Sequence, residues 1–246
     1  MVTHTRIRFH SLRILTGSDL SRRKLPMMMA ESSVSGPVVW LTACGHGDEV
    51  TGIVIIQELF GLVRKHGLEK GMLCAFPIMN PIGFENLSRH IPFSDEDLNR
   101  AFPGNPEGSL AERIAYKIFN TILIKQPTLV IDLHNDWIQS IPYALVDPSG
   151  HENTRKQAVD MARLTGLATV VDTDLLRKSL SYSLLNRDIP AITLELGESY
   201  VVNEQNVRYG LHSISCILNH LEMFDHFSAR DTFSLPSRVQ DELLHY

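Results

Sequence analysis

The chain has 246 residues, 43% hydrophobic and 21% charged, which is ordinary globular composition for one large domain with a substantial core. A formal net charge of −5 gives no reason to expect nucleic acid or an anionic membrane as partner. Cys44, Cys74 and Cys216 stand far apart in apolar or helical contexts, so no disulfide framework is implied and a cytoplasmic setting is expected.

Met1 to Leu25 is broken by Arg6, Arg8, Arg13, Asp19 and Arg22, with no apolar signal core, and no apolar run approaches the ~20 residues of a membrane helix. Arg6 to His10 alternates polar and apolar residues and reads as an edge strand. Ser11 to Pro37 reads as strand fragments and loop, with Arg22-Arg23-Lys24 as solvated loop. Val38 to Thr42 reads as a buried strand, and it delivers the turn Ala43-Cys44-Gly45-His46-Gly47-Asp48-Glu49. Val50 to His66 reads as the following helix, with Gly67 as its C-cap.

His46 and Glu49 therefore stand at the C-terminal end of a strand, where open α/β sheets place their ligands. A histidine and a glutamate at this spacing converge on one metal ion, and imidazole with carboxylate suits zinc. Alone the spacing is weak evidence, because a solvated loop with Asp48 as helix N-cap reads the same way. Cys44, beside the turn, reads as a small packed residue.

Met72 to Ile78 is a second buried strand, ending in a Pro- and Gly-containing loop, Met79 to Phe84. Glu85 to Asn105 is a long polar segment, of the kind that is functional or disordered inside a domain. Ser109-Leu110-Ala111-Glu112 is a capping box opening a helix to about Lys125. Thr128 to Leu133 is a strand ending at His134-Asn135. A second histidine at the same kind of strand end raises the standing of the first. Strands at Tyr143–Val146 and Ala168–Val171, a helix from Arg155 to Thr165 and a short helix from Ser181 to Arg187 follow. Ile189 to Leu196 is a strand with Glu195 inside an apolar run, a costly placement unless the charge is paired or catalytic. Asn203 to Phe224 is the last helix, and Ser228 to Tyr246 reads as a tail. Alternating strands and helices give an α/β three-layer sandwich on a mixed, mostly parallel sheet. The expected organisation is a single domain over 1–246, with 1–37 as N-terminal strand and loop and 228–246 as tail.

Six elements in order carry a resemblance: Gly45-His46-Gly47-Asp48-Glu49, Asn80-Pro81 with Gly83, Arg89, Asp97-Leu98-Asn99-Arg100, Asp132-Leu133-His134, and Glu195. Together they resemble the succinylglutamate desuccinylase and aspartoacylase branch of the zinc carboxypeptidase superfamily, over roughly Val38 to Gly197. The stretch Phe102 to Ser109 is similar to the acylase branch more than to the peptidases. The resemblance implies that one zinc ion is bound by His46, Glu49 and His134, with water in the fourth place. It implies Glu195 as general base and Arg89 as the group that holds the oxyanion. It implies Asn99 and Arg100 as binders of a substrate carboxylate, and Asp97 as the carboxylate orienting His46.

Asp132 is read as structural, pointing to the strand face opposite His134, and His90 as a surface residue. Larger members of the branch carry a C-terminal β-rich domain over the active site. With about fifty residues after Glu195, that domain is expected to be missing or vestigial here. Tyr182 and Tyr200 are then candidates for substrate contact by position only. The implied activity is hydrolysis of the amide of an N-acyl amino acid, a small molecule with a free carboxylate. Rival readings are a zinc carboxypeptidase or peptidoglycan-peptide amidase, and a non-catalytic metal-binding relative. Association into homo-oligomers is left open.

Overall fold

The computed structural model describes residues 5–16, 22–136, 140–173, 176–224 and 243–245. The strands are β1 (Thr5–Thr16), β2 (Arg22–Ser32), β3 (Val38–Ala43), β4 (Met72–Phe76), β5 (Leu129–Asp136), β6 (Tyr143–Val146), β7 (Ala168–Val171), β8 (Ala191–Glu198) and β9 (Leu243–His245). The helices are α1 (Thr51–His66), α2 (Pro81–Glu85), α3 (Leu110–Ile124), α4 (Glu152–Leu164), α5 (Leu180–Leu185) and α6 (Glu204–His220), with a 3-10 turn at Leu98–Arg100.

All the described strands join one sheet in the order β1-β2-β4-β3-β5-β8-β6-β7-β9. β3 pairs in parallel with both β4 and β5, and β5 in parallel with β8, while β2 on β4 and β6 on β8 are antiparallel. The sheet is therefore mixed, mostly parallel and covered by helices on both faces, as the alternation of elements implies. α6 packs against both α1 and α4, α3 packs against the 3-10 turn, and α5 packs against β5 and β8.

The chain leaves β3 for β4 on one side and returns to β5 on the other side of β3. That reversal opens a crevice beyond the C-terminal ends of β3 and β5, the usual place for a ligand in such sheets. The apolar stripe of α1, including Ile55, Ile56, Leu59 and Val63, is buried against the sheet. Gly52 lets the helix approach closely, since a Cβ there would lie 2.8 Å from the Cβ atoms of both Ala43 and Leu133. Beneath the site, Trp40 and Phe76 are fully buried and stack with centroids 5.0 Å apart, worth about 1 kcal/mol beyond their burial.

The N-terminal region departs from expectation. Arg22-Arg23-Lys24 is not solvated loop but the start of β2, which forms a long antiparallel hairpin with β1. The reason is alternation: Leu25, Met27 and Met29 are buried on one face of β2, and β4 pairs along its other edge. Arg23 is ion-paired with Glu85. The polar segment after Met79 is also more structured than expected, since it contains α2 and the 3-10 turn. The capping box at Ser109 is present, with Ser109 Oγ on the Glu112 N–H and Glu112 on the Ser109 N–H. Of the expected tail, all but 243–245 lies outside the described residues. Among the described residues no helix is long and apolar enough to cross a membrane.

Candidate active site

The turn between β3 and α1 is held by its neighbours. The Gly47 N–H donates to the carbonyls of Ser88 at 3.1 Å and Arg89 at 3.3 Å. A Cβ on Gly47 would lie 2.0 Å from the Gly83 carbonyl carbon, so only glycine lets the two loops meet. Asn80 Oδ1 accepts the Gly83 N–H at 2.9 Å, capping α2, and Asn80 Nδ2 donates to the Arg89 carbonyl at 3.4 Å. The Asn80-Pro81-Ile82-Gly83 segment thus fixes the loop that presents Arg89.

Asn135, at the end of β5, ties three chain segments together. Its Oδ1 lies 3.4 Å from the Thr51 N–H that opens α1. Its Nδ2 reaches Thr51 Oγ1 at 3.0 Å and the carbonyls of Leu196 and Glu198 at 3.0 and 3.1 Å. Nothing in the linear pattern marks this role, because the partners are distant in the chain.

These supports bring His46, Glu49 and His134 together. The Nδ1 of His46 lies 2.6 Å from Glu49 Oε1, and the Nδ1 of His134 lies 2.8 Å from Glu49 Oε2. All three residues are buried, and one ligand atom from each lies within 4.8 Å of the others. The remaining ring nitrogens face aspartates: His46 Nε2 is 3.1 Å from Asp97 Oδ1, and His134 Nε2 is 2.9 Å from Asp132 Oδ2. If each Nε2–H donates to its aspartate, both Nδ1 lone pairs point at the Glu49 carboxylate. Three acceptors facing one another repel unless a proton or a cation lies among them. Two imidazoles and a carboxylate, with an aspartate behind each imidazole, are a donor set that suits zinc.

The charges agree. Burial raises the Glu49 carboxyl, but His134 and His46 outweigh it and bring the pKa down to about 2. Burial likewise opposes ionisation of Asp97, yet its contact with His46, helped by Arg100, holds it well below the usual carboxylate range. Burial lowers the histidines, but their carboxylate partners hold His46 above the ordinary value and His134 well above it.

Glu195 lies beside His134, its register partner across the β5–β8 pair. Burial pushes its carboxyl up to about 8, opposed by His134 and reinforced by Glu49, Asp136 and Asp132. Its Oε2 is buried without a hydrogen-bond partner. The Arg89 Nη1 is 3.2 Å from Glu49 Oε1. Asn99 Oδ1 accepts the Leu180 N–H at 2.9 Å, which leaves its Nδ2 as the free donor. Arg100 donates from Nη1 to the Asn99 carbonyl at 2.8 Å. Arg89, Asn99, Arg100, Glu195 and the His46–Glu49–His134 group all line one cavity of about 210 Å³.

Two expectations are corrected. Asp132 does not point away from His134, because residues two apart in a strand share a face. It accepts the Thr42 hydroxyl on Oδ1 at 2.7 Å and holds His134 with Oδ2. Asp48 is not the cap of α1, whose N-cap is Val50 with no side-chain cap bond. Asp48 is fully buried instead, and its carboxylate oxygens have no hydrogen-bond partner among the described residues. His90 is at the surface and faces Asp95 at 3.1 Å. Cys44 is fully buried, and burial with Glu49 and Asp48 pushes its thiol far up, which suits packing and not nucleophilic attack. Neither Tyr182 nor Tyr200 lines the cavity.

Comparison with known proteins is consistent with this geometry. The family model described as the succinylglutamate desuccinylase/aspartoacylase catalytic domain matches residues 35–221. The chain is 32% identical over 133 residues to the N-alpha-acetyl-L-2,4-diaminobutyric acid deacetylase of Halomonas elongata, covering 53% of this chain and 38% of the deacetylase. It thus matches well under half the length of that relative. Its fold is similar to the product-bound ectoine utilization protein EutE (DoeB) of Ruegeria pomeroyi, with a TM-score of 0.82 at 22% identity, covering 98% of this chain and 71% of that one. It is also similar to a succinylglutamate desuccinylase/aspartoacylase from Rhodobacter sphaeroides, with a TM-score of 0.79 at 24% identity, covering 89% and 67%. Desuccinylase, aspartoacylase and deacetylase are names of hydrolases that remove an acyl group from an amide. From the match over 35–221, the chain belongs to the succinylglutamate desuccinylase/aspartoacylase family.

Proposed function

We propose that the chain is a zinc-dependent amidohydrolase that cleaves the amide of an N-acyl amino acid into a carboxylic acid and a free amino acid. The observation that supports it most is the buried meeting of His46, Glu49 and His134 with Glu195 at the next strand position, in one cavity. Zinc held by those three residues would supply Lewis acidity and bring the ionisation of water near pH ~7.

The rest of the chemistry belongs to side chains. Glu195, held across the β5–β8 pair from His134 in the same cavity, takes the proton from the attacking water. The water oxygen bonds to the carbonyl carbon, and the carbonyl oxygen gains the negative charge. Arg89 faces that charge, and its guanidinium is already beside the metal ligands. When the carbon–nitrogen bond breaks, Glu195 returns the proton to the leaving nitrogen. Asn99 Nδ2 and the planar fork of Arg100 hold the free carboxylate of the amino acid.

Incubation of the zinc-loaded chain with a panel of N-acyl amino acids and short peptides tests this reading. Release of amino acid from the acyl compounds, and none from peptides, is expected. Hydrolysis of peptides alone would assign a carboxypeptidase, and no hydrolysis with no bound zinc would assign a non-catalytic relative.

A further inference from the structure

The sheet face that carries His134 and Glu195 runs on past the catalytic cavity. Register pairs His134 with Glu195, Glu195 with Tyr143, and Tyr143 with Ala168, so these four form one row across β5, β8, β6 and β7. Asp132, Thr193, Leu145 and Val170 form the next row, two residues along and on the same face. Both rows turn from polar to apolar where β8 gives way to β6. Tyr143, Leu145, Ala168 and Val170 line a second cavity, of about 440 Å³. Asp136, Leu145 and Asp172 line this cavity and the catalytic one, so the two adjoin. The opposite face of β6 is already filled: Ala144 and Val146 join the main core with Ala158 of α4, which packs on β6 and β7. Ala168 and Val170 are buried without joining that core.

We propose that this second cavity receives the acyl group of the substrate, that the preferred substrates carry an apolar acyl chain of about eight carbons, and that Ala168 and Val170 set its length. The proposal rests on the reading of the site as an N-acyl amino acid hydrolase. Its direction follows from the anchors. Asp97 is the N-cap of the 3-10 turn that carries Asn99 and Arg100, and it contacts His46 just after β3. In the sheet order β3-β5-β8-β6-β7, Glu195 on β8 stands between that contact and the second cavity. A substrate held by its carboxylate at Asn99 and Arg100, with its carbonyl at Glu195, sends its acyl chain toward β6 and β7. The size follows from the strand spacing. Ala168 stands two strands from Glu195, roughly 10 Å. With carbon–carbon bonds of about 1.5 Å, an extended chain of roughly eight carbons spans that distance. An acetyl group ends before it reaches Ala168. The chemistry follows from the lining. Among the described residues it holds no lysine or arginine, so an acyl chain ending in a carboxylate finds no cation there, while methylenes find Leu145, Ala168 and Val170.

The zinc-loaded chain should be assayed on the N-acetyl, N-butanoyl, N-octanoyl and N-succinyl derivatives of one amino acid. The expected rise in kcat/KM from acetyl to octanoyl is at least ~30-fold, well inside the roughly fourfold that each buried methylene supplies, with succinyl below butanoyl. Ala168→Phe and Val170→Phe fill the second cavity, and each should cut the octanoyl-to-acetyl ratio by about tenfold; if neither folds, the wild-type series decides. A flat series, a preference for acetyl or succinyl, or an unchanged ratio in a folded variant overturns the proposal. Calorimetric titration of octanoate and acetate into the wild type and Ala168→Phe separates the two readings. If no acyl compound is hydrolysed, the proposed function fails, while octanoate bound more tightly than acetate by the wild type, with the difference reduced in Ala168→Phe, still supports the cavity assignment and equal binding overturns it.

Discussion

Two walls of one cavity use the same residue type in opposite ways. On the metal side, Asp97 and Asp132 each face an imidazole nitrogen at about 3 Å, at 3.1 and 2.9 Å. There Asp97 and Glu49 are held below the usual carboxylate range despite burial. On the other side, Asp147 is buried with a backbone N–H from Ser149 at 2.9 Å and no ion pair among the described residues, and burial raises its carboxyl from its ordinary value. The metal-side acids are compensated within the chain and keep histidines in place. Asp147 has a backbone bond in place of an imidazole, and no ion pair among the described residues.

The largest predicted effect lies between the two walls. Glu195→Gln should lower kcat by about 10²–10⁴-fold, while metal analysis still finds zinc. Arg89→Ala should follow, losing about 10²–10³ in kcat, or roughly 3–4 kcal/mol of barrier. If either variant kept full activity, its residue would not belong to the chemistry.

Breaking the metal-side wall should show in zinc affinity. Asp132→Asn keeps the shape but weakens the hold on His134, and zinc binding should fall about 10–100-fold in a competition titration. Asp147→Asn should not show this loss. Equal losses in both variants would erase the distinction between the walls.

The smallest effect sharpens the other wall through stability. The folded chain raises the Asp147 pKa, so it takes up that proton more readily than the unfolded chain does. Ionisation therefore disfavours the fold, and stability falls as pH rises from the unfolded carboxylate range, about 4, through the raised folded value. Asp147→Asn should raise the midpoint of thermal unfolding at neutral pH by on the order of 2 °C. The gain should vanish below about pH 4, where the wild-type carboxyl is protonated in both states. A lower midpoint at pH 7 would show that Asp147 is compensated after all.

Much of the metal-side wall is legible in the linear chain. His46 and Glu49 stand in a glycine-flanked turn after an apolar strand, and His134 and Glu195 close two further apolar runs, so the strand-end rule places all four on one rim. Asp132 was legible too, since the two-residue strand period puts it with His134, opposite to the expectation stated for it. The other wall was not. Asp147 and Asp172 follow short strands, and only the antiparallel placement of β6 against β8 turns their ends toward the cavity. Asn135 is equally silent, because its partners Thr51 and Leu196 lie 84 and 61 positions away. The start of β2 was hidden because the basic run Arg22-Arg23-Lys24 looks like loop, although the alternation of Leu25, Met27 and Met29 behind it marks a strand.

The central claim is that His46, Glu49 and His134 form one zinc site, and equilibrium zinc titration of the full chain tests it directly. One zinc ion per wild-type chain is expected, with Glu49→Ala reducing tight binding to none. No tight binding by the wild type, or an undiminished single site in Glu49→Ala, would contradict it.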